Sequence, residues 1–160
     1  MSKYGLKIAK QYGSNLNEFN NISEAEAFFF SYRDDLLDKF SIICNKSRFK
    51  SYDYSIESLK ELEKWYFELF EEEKFSNIGL SREEFEQCMA MYFGEVVIRN
   101  NEDAKYLVKE FPFVPGKYEF YINKGLLSIA FVLMCNEWYT RSGNKRRNLL
   151  FRKYNRYFKR

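Results

Sequence analysis

The spacing of apolar residues changes after Asn101, and that change constrains the fold more than any other feature. From Ser23 to Asn101 apolar side chains recur every three or four positions, as on one face of a helix. From Lys105 to Asn123 they alternate, as on one face of a strand. Three helices are therefore predicted, followed by a β-ribbon.

The first helix is expected to begin at "SEAE", where Ser23 as N-cap and Glu26 three residues later have the spacing of a capping box. Phe29, Tyr32, Leu36, Phe40 and Ile43 then follow at helical spacing. The second, 55–73, is the most sharply two-sided. At 100° per residue Leu59, Leu62, Tyr66, Leu69 and Phe70 fall on one side, and Glu57, Glu61, Lys64, Glu68 and Glu72 on the other. The third opens on a second capping box, Ser81 with Glu84, and directs Phe85, Met89, Tyr92, Phe93, Val96 and Val97 inward. Residues 1–20 read as irregular.

The ribbon, about 105–123, turns at Pro115-Gly116. Proline presets φ and glycine accepts a positive one, as a type II turn requires. Tyr118, Phe120 and Ile122 should face the core. The apolar run "LLSIAFVLMC" reads as a buried helix rather than a strand, and a last helix is expected from about Asn144 to the C-terminus. The order ααα–ββ–αα makes the chain a mostly helical α+β domain spanning residues 1–160.

Composition narrows the chemistry. Histidine is absent, which removes the commonest general base and the commonest metal ligand. Cys44, Cys88 and Cys135 lie far apart, with neither the spacing of a zinc site nor the even count of a disulfide framework. No phosphate loop and no nucleophile–base pair is present, so no cofactor and no catalytic residues are expected. "RSGNK" (141–145) reads as a turn before the last helix. The N-terminal stretch lacks the apolar segment of a signal peptide, and 126–135 is too short to span a bilayer. A cytoplasmic location in a reducing compartment is expected, and the richness in Lys, Asn, Phe, Tyr and Ile fits an AT-rich bacterial genome.

Charge is segregated. Nine of the 26 basic residues and none of the 23 acidic ones lie in 141–160, which leaves residues 1–140 with a net charge of −6. In the last helix Leu150, Phe151, Tyr154, Tyr157 and Phe158 share one side. Lys145, Arg146, Arg152, Lys153, Arg156, Lys159 and Arg160 take the other. That basic side could meet nucleic acid, anionic lipid or an acidic protein. The plainer alternative is a solvated surface, or docking beside the acidic helix 55–73.

Gly94-Glu95 interrupts the most apolar part of the third helix. A mid-helix glycine costs roughly 1 kcal/mol relative to alanine, tolerable where a ring or backbone must come close. Glu95 precedes Arg99 by one turn, the spacing of a helical ion pair, and is placed to accept hydrogen bonds from the ribbon. Gly94, Glu95 and Arg99 are therefore expected to be structural.

The stretch "MYFGEVVIRNNEDAKYLVKEF" resembles small bacterial immunity-type domains encoded beside polymorphic or contact-dependent toxins. Such domains carry a tryptophan in the first strand, where this chain has Tyr106. The resemblance implies a binding protein that holds a cognate toxin in a stoichiometric complex. The partner surface expected on charge is Glu57, Glu61, Glu68 and Glu72, since a row of carboxylates can imitate a phosphate backbone before a basic toxin. The alternative is a nucleic-acid-binding protein using Arg146, Arg152, Lys153, Arg156 and Lys159, and a third reading is an enzyme working through carboxylates alone.

Overall fold

A computed structural model describes residues 1–47, 49, 51–136, 139 and 147–159. The chain is α+β. Helices α1 (Lys3–Ser14), α2 (Ile22–Lys46), α3 (Ser58–Glu71) and α4 (Arg82–Asn100) precede a sheet of β1 (Ala104–Glu110), β2 (Tyr118–Lys124) and β3 (Leu127–Ala130). The last helix is α5 (Leu149–Tyr157). The sheet is antiparallel in the order β1-β2-β3. It packs on α2 and α4, while α3 lies against α4 and α5.

Residues 1–20 are not irregular as expected. Ser2 caps α1, its Oγ accepting from the Gly5 amide at 3.0 Å. The helix escapes a burial-based reading because Tyr4, Ile8 and Tyr12 remain exposed and Gly13 is its one buried residue. The start of α2 also moves. Asn21, not Ser23, is the cap, its Oδ1 accepting from the Glu24 amide at 2.9 Å, while the Glu24 carboxylate accepts from the Asn20 amide. Two overlapping cap signals lie here, and asparagine caps as well as serine. Ser81 caps α4 as expected, accepting from the Glu84 amide at 3.1 Å.

Gly116 has φ +78, and the Lys117 amide bonds to the Val114 carbonyl across the Pro115-Gly116 turn. Tyr118, Phe120 and Ile122 are buried as expected. The run 126–135 is not one buried helix. It begins as edge strand β3, paired through Tyr121–Ala130 to Lys124–Leu127, and becomes helical only at 134–136. Gly125-Leu126 makes a two-residue hairpin that returns the chain onto β2, leaving Leu126 fully exposed. Asn144, expected to start the last helix, lies outside the described residues, and α5 is seen from Leu149.

The core is built from rings. Phe40, Trp65, Phe85 and Tyr92 pack between α2, α3 and α4. Tyr106, Phe120 and Phe131 form a second group between the sheet and α4, with ring centroids 5.0–5.7 Å apart.

Candidate functional site

The acidic side of α3 is determined by what its other side buries. Leu59, Leu62, Trp65, Tyr66 and Leu69 pack inward, so residues half a turn away face water. Glu57, Glu61, Glu68 and Glu72 are all exposed. Glu57 pairs with Lys60 at 2.9 Å and Glu72 with Lys74 at 2.7 Å. Glu61 and Glu68 make no ion pair among the described residues. Glu57 and Glu72 stand at the two caps of α3, so the four carboxylates extend along its whole length.

The basic helix docks on this one. Leu150 and Tyr154 of α5 and Phe158 at its C-cap are buried, and the Lys60 ammonium lies 4.1 Å from the Phe151 ring. Arg152, Arg156 and Lys159 are exposed and Lys153 is half-buried. Lys153 and Arg156 both approach the Tyr157 ring, at 5.6 and 5.4 Å. Arg146 lies outside the described residues. Acidic α3 and basic α5 are therefore neighbours rather than opposite poles.

One residue that organises this arrangement does not stand out by charge pattern. Glu63, 2% exposed, accepts hydrogen bonds from the Leu149 amide at 2.9 Å, the Leu150 amide at 3.1 Å and the Tyr139 hydroxyl at 2.9 Å. Asn148, the N-cap residue of α5, makes no capping bond of its own. A carboxylate on α3 thus caps α5 from another element, where the helix dipole also favours an anion. Burial pushes the Glu63 carboxyl above its ordinary range, and the Leu149, Leu150 and Tyr139 bonds pull the other way. A sequence signal existed: at 100° per residue Glu63 falls beside the Leu59–Phe70 stripe, far from the exposed glutamates.

Glu86 is a second buried carboxylate, 4% exposed on α4. The Tyr66 hydroxyl donates to its Oε1 at 2.7 Å, and Arg82 Nε lies 3.1 Å from the same oxygen, out of line for a hydrogen bond. Burial and this bond push the Tyr66 hydroxyl well up.

Gly94 is where the ribbon comes down on α4. A Cβ there would lie 2.9 Å from the Tyr106 hydroxyl oxygen and 3.2 Å from Phe131. The Tyr106 hydroxyl donates to Glu95 Oε1 at 2.9 Å, and Arg99 Nε meets Glu95 Oε2 at 3.1 Å. Arg99 also covers the Tyr54 ring at 3.9 Å. Glu95 thus joins α4 to β1 through one oxygen and to Arg99 through the other.

The three cysteines are buried and free. Burial pushes the Cys44 and Cys88 thiols up to about 12, which leaves them unreactive at neutral pH. No group of His, Cys, Asp and Glu among the described residues is arranged to hold a metal ion. No helix among them is long and apolar enough to cross a membrane.

Residues 18–158, from before α2 to the end of α5, match the family model described as "Uncharacterised protein YwmA". A protein of Bacillus subtilis (strain 168), described as "Uncharacterized protein YwmA", is 37% identical over 109 residues. The match covers 68% of this chain and 69% of that relative. No solved structure matches. With this length of chain and this identity, the protein belongs to the YwmA family.

Proposed function

We propose that the protein acts by binding a basic protein along α3, in the manner of an immunity-type inhibitor that holds a toxin in a stoichiometric complex. The observation that supports this is the row Glu57, Glu61, Glu68 and Glu72, exposed over the full length of a helix whose opposite side is anchored in the core. Such a row steers a basic partner electrostatically and presents a rigid, preorganised surface to it. Glu63 favours binding over catalysis, because three donors already engage its two oxygens.

Position weighs against nucleic acid on α5. Glu57 and Lys159 line the same pocket of about 480 Å³ between the start of α3 and the end of α5. A phosphate backbone approaching Lys159 would meet the Glu57 carboxylate there.

The test is co-expression with a candidate basic toxin encoded beside this gene. Wild type is expected to protect cells, and the variant with all four glutamates changed to Gln is expected not to. Equal protection by both moves the contact off α3. Failure of the wild type to protect removes the inhibitor reading.

A further inference from the structure

We propose that α1 is a docking surface for an anionic lipid bilayer, lying flat on the headgroups. Its 12 residues are too few to span the bilayer. At 100° per residue Tyr4, Ile8 and Tyr12 fall within about 80° of arc, and Lys3, Lys7 and Lys10 within about 60° beside them. Gly13, on the opposite side, is the one buried residue of the helix. A Cβ at Gly13 would lie 2.6 Å from the Phe111 ring and 2.7 Å from Val114. Glycine there lets the end of α1 press onto the turn between β1 and β2, where the Tyr118 amide also bonds to the Asn17 carbonyl at 3.1 Å. Attachment through that side leaves the apolar and basic arcs facing outward. Tyr4 is 75% exposed, Ile8 is 48% exposed, and all three lysines are exposed.

Charge selects the kind of surface. The first seventeen residues carry three lysines and no carboxylate, in a chain whose residues 1–140 are net negative. Lys3, Lys7 and Lys10 make no ion pair among the described residues. The first carboxylate to follow in sequence, Glu18, is held by Lys117 at 3.5 Å. A convex helix with adjoining apolar and basic arcs fits a plane, whereas a protein partner would need a groove of opposite charge. At a bilayer the rings and Ile8 enter the headgroup boundary, while the lysine stems reach up to lipid phosphates. Tyrosine favours that boundary, having an apolar ring and a polar tip. The apolar surface continues past α1, because Tyr12 lines the same cleft as Phe28 and Leu133, both exposed. Contiguous exposed apolar side chains mark an interaction surface. Helix α5 also carries cations but has no large apolar side chain exposed among its described residues, so it lacks the anchoring half of the arrangement.

Co-sedimentation of the full chain with lipid vesicles decides the matter. The chain is expected to bind vesicles of phosphatidylcholine containing a third phosphatidylglycerol, and not vesicles of phosphatidylcholine alone. Each lysine near an anionic surface contributes about fivefold in partitioning, so Lys3→Gln, Lys7→Gln and Lys10→Gln together should weaken binding about a hundredfold. Tyr4→Gln with Ile8→Gln should weaken it at least about tenfold. Both side chains are exposed, so the melting temperature should stay that of the wild type. Leu126→Gln, at an exposed apolar side chain in the hairpin between β2 and β3, should leave binding as it is. Absence of binding to the anionic vesicles overturns the proposal, and so does equal binding to both kinds. Binding that survives both α1 variants belongs to the cations of α5 and overturns it too. Self-association in gel filtration that Tyr4→Gln with Ile8→Gln abolishes would give the surface to a second copy, which also overturns the lipid reading.

Discussion

Glu63→Gln tests how α5 is held. In the wild type both carboxylate oxygens accept: Oε1 from the Leu149 amide, Oε2 from the Leu150 amide and the Tyr139 hydroxyl. Glutamine has nearly the same shape but only one acceptor atom. Its best orientation keeps the Oε2 bonds and points an NH2 group at the Leu149 amide, donor against donor. A buried donor left unsatisfied costs about 1–3 kcal/mol. Loss of a negative charge at a helix N-terminus adds about 0.3–1 kcal/mol. The total of roughly 2–4 kcal/mol, at about 2–4 °C per kcal/mol for a chain of this size, predicts a melting temperature lower by roughly 5–15 °C. Glu61→Gln, two residues away and exposed, should stay within about 0.5 kcal/mol of wild type. Calorimetry gives the stabilities, and hydrogen exchange should show lost protection at the Leu149 and Leu150 amides. Melting at the wild-type temperature, with those amides still protected, would refute the capping role.

The same pair of proteins tests the charge state. Burial raises the Glu63 carboxyl above its unfolded value, so the folded protein binds the proton more tightly. This contribution is fully present below the unfolded value and is lost as pH rises through the folded one. The stability gap between wild type and Glu63→Gln should therefore widen as pH falls through that window, other carboxylates being common to both. A gap that narrows would mean that the Leu149, Leu150 and Tyr139 bonds outweigh burial.

Three further outcomes are expected. Gly94→Leu should cost about 1–3 kcal/mol or more in a thermal melt through overpacking against Tyr106 and Phe131, and a wild-type melt would remove the close-approach argument. Tyr106→Phe deletes the bond to Glu95 and should cost about 1 kcal/mol in denaturant titration, yet relieve part of the penalty of Gly94→Ala, since the hydroxyl is the nearest atom. The Lys39 hydrogen bond lowers the Glu84 carboxyl, so this pair stabilises above the unfolded value and weakens as pH falls through the folded one; Lys39→Met should flatten that part of the pH–stability curve.

What could be read in the sequence was whatever depended on a single element. Helix α3 is legible because its stripe is buried and Glu57, Glu61, Glu68 and Glu72 are not, and α4 because Ser81 caps it locally. The Pro115-Gly116 turn is legible because its backbone geometry is set by its own two residues. Helix α1 hid because it buries little: its apolar residues Tyr4, Ile8 and Tyr12 point to water, so periodicity there does not report a core. The run 126–135 hid because two half-buried pieces with different periods abut at Phe131, and only Gly125 signals the hairpin that separates them.

Glu63 shows why the arrangement of helices is harder to read than the helices themselves. The residue it serves is 86 positions away, at the Leu149 amide. Helix α5 begins with an asparagine, a residue that ordinarily caps, yet Asn148 has φ 54 and makes no capping bond, so the helix start has no cap of its own. The deficit is made good by a carboxylate that looks like one more charge in "KELEKW". Its cost of burial is offset only once α5 is in place to satisfy it, and α5 is expected to lose protection of its first turn without Glu63. That mutual requirement seats the basic helix against the acidic one, so the two charged surfaces lie side by side. Any partner drawn to the α3 carboxylates must then fit beside the cations of α5. A purely basic surface does not meet that condition, so the partner expected on α3 carries its positive charge as a narrow ridge.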